Sequence, residues 1–172
     1  SFIEGGVTVT ESGAPATGVA SAFRVFAEYG EVRTGVAVAN TASVPANVQF
    51  ELLGPTGQAT GHSGSITLTA NGHRSFFLDE IPGFRNLDSP FRGVLRVSSN
   101  NPISVLGLRG RNNERGEALF STTPAVADNG ITAGTELLFP HIVSGGGYTT
   151  ELLWMSRGTA SLDNIIAVPT RH

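Results

Sequence analysis

One string in the chain comes close to the Gly-x-Ser-x-Gly elbow that carries the nucleophile of many serine hydrolases. The elbow needs a glycine on each side because its serine sits on a sharp turn between a strand and a helix. In Gly61-His62-Ser63-Gly64-Ser65, a serine stands where the second glycine is required. The string therefore predicts a polar end of a hairpin, and we expect no catalytic residue there.

Residues that could hold a metal ion are scattered along the chain. No two of its four histidines have the His-x-His or His-x-x-x-His spacing typical of zinc sites, and there is no cysteine. The acidic turns offer two or three oxygen ligands each without the spacing of an EF-hand loop; they are Asp79-Glu80, Asp128-Asn129-Gly130 and Asp163-Asn164. Carboxylate pairs for glycoside hydrolysis cannot be assigned, since their separation depends on the fold. We expect no metal, no cofactor and no enzymatic activity.

Two aromatic residues, Tyr148 and Trp154, are the candidates for stacking on a sugar ring. They follow Gly145-Gly146-Gly147, which lacks the Gly-Lys-Ser/Thr that a phosphate-binding loop requires. Tyrosine and tryptophan combine an apolar ring with a polar tip, which suits carbohydrate binding, but a tryptophan in a strand more often fills a core. Both interpretations stay open.

Composition limits the partners. Every one of the 11 basic residues is arginine and the formal net charge is −3, so nothing favours nucleic acid or an anionic membrane. No run reaches the roughly eighteen apolar residues of a membrane-crossing helix, and Ser1 opens without a signal peptide. We therefore expect no nucleic-acid partner and no membrane span.

The chain reads as a series of strands. Short segments rich in Val, Ile, Phe, Thr and Leu recur about every ten residues between Gly, Pro, Asn and Asp, which predicts an all-β antiparallel sandwich or barrel. In Val32–Asn40, the residues Val32, Thr34, Val36 and Val38 share one face, and this face looks like core. The other predicted strands of the first 125 residues are Val7–Thr10, Ala22–Glu28, Asn47–Leu53, Ser65–Thr69, His73–Leu78, Gly93–Ser98, Ile103–Arg109 and Leu119–Thr123.

Two turns and one helical element are predicted between these strands. Gly54-Pro55-Thr56-Gly57 supplies a proline for φ near −65° and a glycine for positive φ, as a tight hairpin turn requires. Ser99-Asn100-Asn101-Pro102 predicts a second hairpin, which would join Gly93–Ser98 to Ile103–Arg109. A single helical turn is expected within Asp79–Ser89.

An internal repeat sets the predicted domain organisation. Placing Phe139 on Phe23 also places Gly146 on Gly30 and Thr150 on Thr34, with a similar apolar pattern. We therefore predict an amino-terminal strand segment in residues 1–20, a complete module in residues 21–126, a linker at Ala127–Gly134 and a partial second module in residues 135–172.

The partial module suggests a way to assemble. An incomplete sandwich leaves backbone groups unpaired along its edge, and a strand from another copy can satisfy them. The predicted assembly residues are Val7, Thr8 and Val9 in the amino-terminal strand and Ile165, Ile166 and Val168 near the carboxyl end. The alternative is that the chain is a fragment of a longer protein made of several modules.

Several stretches resemble the tandem Ig-like β-sandwich repeat modules of large secreted bacterial proteins. They are the run Phe91–Arg109 with Phe120-Ser121-Thr122-Thr123-Pro124, the upstream Gly35–Asn40, and Leu138–Val143 with Gly145–Thr150. The resemblance implies an Ig-like fold and an extracellular or cell-surface location, and it brings no catalytic residues. The expected function is a non-enzymatic extracellular structural protein that assembles through β-strand complementation; the alternative is a carbohydrate-binding or adhesive module. Its partners would be copies of itself, head to tail, or adjacent modules, and glycans.

Overall fold

The computed structural model describes residues 2–4, 7–10, 13–128 and 145, and it confirms an all-β antiparallel chain. Apart from one turn of 3-10 helix at Leu78–Glu80, the regular structure of the described part is strand, and each ladder is antiparallel. The strands are β1 (Phe2–Glu4), β2 (Val7–Thr10), β3 (Ala20–Tyr29), β4 (Val32–Asn40), β5 (Ala46–Leu53), β6 (Ala59–Leu68), β7 (His73–Phe77), β8 (Phe91–Asn112), β9 (Ala118–Thr123) and β10 (Val126–Ala127).

The eight strands β3 to β10 are organised around β8. The first half of β8 pairs with β3 on one side and with β5 on the other, while its second half pairs with β4 and β9. Strand β6 extends the sheet from β5, β7 extends it from β4, and β10 extends it from β3. Strands β1 and β2 form a separate two-stranded ladder.

Strand β8 bends back on itself. Tyr29 pairs with Phe91 and Val32 pairs with Arg111, yet only Gly30 and Glu31 separate Tyr29 from Val32. A straight strand of 22 residues would hold its ends about 70 Å apart. The two ends of β8 lie at the same end of the fold instead. The bend falls at residues 99–102, where the register against β3 jumps from Ser98 to Ile103.

The hairpin predicted at Ser99–Pro102 is therefore wrong, because the two halves of β8 pair with other strands and not with each other. The side chains of Asn100 and Asn101, which favoured a turn in the sequence, bind the chain between β4 and the start of β5. Asn100 Oδ1 accepts a hydrogen bond from Asn47 N at 2.8 Å, and Asn101 Nδ2 donates to Pro45 O at 2.8 Å. The carbonyl of Pro102 accepts from Thr41 N at 3.2 Å. These contacts hold the bend in extended backbone.

One core packs against both halves of β8. It takes Leu95 and Val97 from the first half and Ile103 and Val105 from the second, together with buried side chains from β3 to β7. The face predicted for β4 is confirmed for Thr34, Val36 and Val38, which are buried, while Val32 is half-buried. Buried Thr34 is satisfied because its Oγ1 accepts the backbone N–H of Glu28 at 2.8 Å. Phe50, also buried, meets the ring of Phe76 edge to face.

The segment between β7 and β8 closes one side of this core. Leu78, Ile81 and Phe84 are almost completely buried, and the expected helical turn is present at Leu78–Glu80. The segment crosses β6 so closely that a Cβ on Gly64 would lie 1.6 Å from Pro82 O. Only a residue without a side chain fits at that crossing.

The predicted hairpin turn after β5 is confirmed. Gly57 N donates to Gly54 O at 2.9 Å, and Gly57 has φ +83°, a value that favours glycine. The turn leads into β6, which begins at Ala59, earlier than the predicted start at Ser65.

The chain divides after Asn129 into two compact units, Ser1–Asn129 and Gly130–His172. This division falls within the segment predicted as a linker, and the partial second module stays a prediction. Among the described residues, no helix has the length and apolar character needed to cross a membrane.

Candidate functional site

The predicted amino-terminal assembly residues lie in β2, which is one half of a hairpin. Thr8 pairs with Ile3 and Val7 pairs with Glu4, so one edge of β2 is occupied by β1. The remaining predicted site residues lie outside the described part of the chain; they are Tyr148 and Trp154 for sugar stacking and Ile165, Ile166 and Val168 for assembly.

Strand β2 lies beside β9, with Cα atoms of the two strands within 8 Å of each other. Strand β9 pairs with β8 along one edge, and the described residues include no ladder between β9 and β2. The amino-terminal strands thus lie next to an edge strand without being paired to it.

The segment that joins β2 to β3 is held by few contacts. Residues 13–19 have no regular secondary structure and most are exposed. Thr122 Oγ1 donates to Gly13 O at 3.3 Å, and the hydroxyls of Thr17 and Ser104 form a short hydrogen bond. Val19, the last residue before β3, is 56% exposed and therefore packs little against the core.

The string around Ser63 lies within strand β6, and its predicted position at the end of a hairpin is wrong. Ser63 is exposed on β6, and a Cβ on Gly83 would lie 2.1 Å from its carbonyl oxygen. The ring of His62 packs towards Phe84, with 6.1 Å between ring centroids. Serine and histidine are neighbours in sequence here, and alternation along the strand points their side chains to opposite faces.

Two largely buried carboxylates each contact two arginines. Asp128 Oδ2 lies 3.2 Å from Arg24 Nε and 3.4 Å from Arg96 Nε, which ties the chain after β10 to β3 and β8. The carboxylate side chain is only 12% exposed. An acid whose oxygens already bind two guanidinium groups serves to cross-link strands.

Glu28 makes the corresponding contact at the other end of β3. Its Oε1 lies 3.4 Å from Arg92 Nε, and its Oε2 accepts a short hydrogen bond from Arg109 Nη2. Arg92 and Arg109 belong to the two halves of β8, so Glu28 ties both halves to β3. In the described part of the chain, no group of three or more His, Asp or Glu residues is placed to hold a metal ion.

A cleft of about 610 Å³ lies where β4, β8 and β9 reach the same end of the sheet. Its walls include Arg33 of β4, Phe77 of β7, Asn112 of β8 and Phe120 of β9. Small-molecule sites in proteins have volumes of about 300–1,000 Å³. Because of its volume and its lining of aromatic, polar and charged side chains, this cleft is the candidate binding site of the described unit.

Glycines bring the two phenylalanine rings of the cleft together. A Cβ on Gly110 would lie 3.0 Å from Phe120 Cε1 and 3.9 Å from Phe77 Cε1, so both rings border this one glycine. Phe77 also covers Gly35, where the corresponding distance to its Cδ1 is 3.6 Å. Without side chains at these positions, the rings lie low against the sheet.

Arg33 is fixed at the cleft wall by two contacts. Its Nη2 donates to both carboxylate oxygens of Asp79, at 2.8 and 2.9 Å. The guanidinium also stacks on Phe77, 4.4 Å from the ring centroid. The remaining N–H groups, on Nε and Nη1, make no hydrogen bond within the described residues and stay available as donors.

Sequence reasoning did not find this cleft. Phe77 and Phe120 are 43 positions apart, and both border Gly110 because Gly35 pairs with Phe77 and Gly110 pairs with Phe120. A phenylalanine that faces a glycine across two strands can indicate such a cleft, but the pair is recognised only when the register between the strands is known.

No protein-family model and no curated protein matches the chain. Among solved structures, the crystal structure of Thermotoga maritima 1070 is similar to it, with 10% sequence identity and a TM-score of 0.48. The similarity covers 61% of this chain and 93% of that one. At this level it carries no argument about function.

Proposed function

We propose that this chain is a non-enzymatic structural module of the cell exterior, which assembles head to tail by placing its β1–β2 hairpin against β9 of a neighbouring copy. The observation that carries the proposal is the position of β2 beside β9. An edge strand offers unpaired N–H and C=O groups that a further strand can satisfy. Exchange of the same hairpin between copies is domain swapping, a route to assembly that needs little new contact surface.

The loose attachment of the hairpin supports exchange. Residues 11–19 connect it to β3, and a chain of that length extends to about 30 Å. Among the described residues, two side-chain hydrogen bonds hold the segment 13–19 in place, those at Gly13 and Thr17. Each is worth about 1 kcal/mol, so the connecting segment can be released at low cost.

A different edge of the sheet, the one formed by β6, is protected. Strand β6 is ten residues long and pairs with β5, but Pro82 and Gly83 cross it at Ser63 and Gly64. An incoming strand would meet this crossing in the middle of β6. This contrast makes β9 a better acceptor than β6.

The bend of β8 supports an Ig-like sandwich as the finer description of the module. Its two halves enter separate ladders, and side chains from both enter one core. Pairing of Glu28 and Asp128 with arginines supports a structural rather than a catalytic role for the largely buried acids. The proposed extracellular location rests on the resemblance to secreted repeat modules.

The test is assembly of the full chain at physiological salt, followed by light scattering and negative-stain electron microscopy. We expect regular oligomers or fibres. Deleting residues 1–10 should leave soluble monomer, and so should replacing them with a Gly-Ser sequence of equal length. A peptide of residues 1–19 added to the full chain should cap its ends and shorten the assemblies. A monodisperse monomer from the full chain, or assembly that survives the deletion, would refute the proposal.

A matched pair of lysine substitutions identifies the acceptor edge. Ser121 on β9 and Ser65 on β6 are both exposed, and a charged residue on an edge strand opposes strand addition. Ser121→Lys should therefore weaken assembly, and Ser65→Lys should leave it unchanged. The reverse result would place the acceptor on β6.

A further inference from the structure

We propose that the cleft between Phe77 and Phe120 binds a neutral oligosaccharide. This site borders the proposed contact between copies, because Phe120 belongs to β9, and it differs from the pair Tyr148 and Trp154 suggested by sequence. The inference rests on three features of the cleft: its aromatic floor, the polar groups around that floor, and its charge balance.

The aromatic floor suits the flat apolar face of a sugar ring. Phe120 is half-buried and lies over Gly110, so its ring is held against the sheet. Phe77 lies beside the same glycine and already carries the guanidinium of Arg33 on its ring. Phe120 is therefore assigned to contact the C–H groups of the sugar, and Phe77 forms the adjoining wall.

Polar groups next to the floor match sugar hydroxyls. Asn112 lies two residues beyond Gly110 on β8, which places both on the same face of the strand. Its side chain is exposed and makes no hydrogen bond within the described part of the chain. An amide both donates and accepts, as a hydroxyl does, and Arg33 adds its unused donors.

Charge balance argues against an anionic ligand. Asp79 neutralises Arg33 through two hydrogen bonds, and Glu31 and Glu114 line the cleft together with Arg111. The cleft thus has no excess of positive charge to attract a phosphate or a uronic acid.

The location argues against a bound peptide strand. The cleft crosses β7, β4, β8 and β9 on one face, and the lining residues of these strands lie in or next to their ladders. Because β8 is paired on both sides at Gly110 and Arg111, with β4 and with β9, recognition over this strand has to come from side chains. Hydroxyl-rich ligands are recognised in this way.

The experiment is isothermal titration calorimetry of the full chain with maltohexaose, cellohexaose, mannohexaose and chitohexaose, and with hexagalacturonate as the acidic probe. At least one neutral hexasaccharide should bind. Phe120→Leu keeps the apolar cover of Gly110 but removes the flat ring, and it should weaken binding about tenfold. Asn112→Ala should weaken it about fivefold or more through lost hydrogen bonds.

Phe26→Leu is the matched control. Phe26 is half-buried like Phe120 and carries an arginine like Phe77, since the guanidinium of Arg92 lies 5.3 Å from its ring centroid, but it lies on β3 outside the cleft. Its substitution should leave saccharide binding unchanged. Thermal unfolding of each variant checks that the fold is kept.

Three results would overturn the proposal. One is the absence of binding by every neutral hexasaccharide at concentrations up to about 1 mM. Another is binding of hexagalacturonate alone, which would indicate an anion site. The third is neutral saccharide binding that Phe120→Leu and Asn112→Ala leave unchanged, because the ligand would then lie elsewhere on the chain.

Discussion

Replacing Gly64 with alanine tests the crossing between β6 and the segment after β7. The added Cβ would lie 1.6 Å from Pro82 O and 2.8 Å from Pro82 C, and both atoms belong to backbone. A Cβ cannot approach an oxygen much closer than 3 Å, so the loop has to move by more than an ångström. The neighbouring Ile81 and Phe84 are 1% and 0% exposed, and they would move with the loop.

The cost follows from these two side chains. Overpacking a core costs about 1–3 kcal/mol, and a fully buried Ile or Phe contributes about 1.5–3 kcal/mol through burial. Because Ile81 and Phe84 would both lose part of their burial, we expect Gly64→Ala to lower the free energy of unfolding by about 2–4 kcal/mol. Urea unfolding at 25 °C measures this as a shift in midpoint of about 1–2 M.

Gly18→Ala is the matched control. A Cβ at Gly18 would have no atom within 4 Å, and its φ is not in the positive region. Alanine there should be neutral or stabilise by up to about 1 kcal/mol, because it restricts the unfolded chain. The double variant Gly64→Ala with Ile81→Ala should lose less than the sum of the single losses, since both act on the same buried side chain. A loss below about 1 kcal/mol for Gly64→Ala would refute the reasoning.

The ion pairs and the buried hydroxyl give two further predictions for the same unfolding assay. Glu28→Gln should lower the free energy of unfolding by about 1–3 kcal/mol, because the Glu28 side chain is only 12% exposed. The loss stays in this range because Arg92 and Arg109 are half-exposed and partly solvated. The exposed pair of Arg33 should contribute less, so Asp79→Asn should cost under about 1 kcal/mol; equal losses would contradict the role of burial. Thr34→Val keeps the shape of the side chain but leaves the backbone N–H of Glu28 without its acceptor, and it should cost about 1–3 kcal/mol. A neutral effect of Thr34→Val would mean that water replaces the hydroxyl.

Local chemistry explains why much of the fold could be predicted. Strand β4 was predicted with its observed bounds because Val32, Thr34, Val36 and Val38 alternate with small or polar residues. Gly54 to Gly57 contains the proline and glycine that its turn requires. These features depend on neighbours in the chain, so the sequence reports them directly.

The bend in β8 shows where local reasoning fails. Asn100, Asn101 and Pro102 are favoured in turns, and a hairpin was the reasonable expectation. In the fold, Asn47, Pro45 and Thr41 bind these residues and hold the backbone extended. Hydrogen bonds with Thr41, Pro45 and Asn47 thereby override the turn preference of these residues.

The sequence by itself determined the all-β class, the bounds of β4 and the turn between β5 and β6. Only the tertiary structure decided the cleft, the position of β2 beside β9 and the pairing of Glu28 and Asp128 with arginines. Strand register brings Phe77 and Phe120 to the same glycine, and the chain path brings β2 beside β9. Alternation along a strand is set by covalent geometry, whereas register and path are set by which distant segments pack best together, and one chain's residue order does not record that choice.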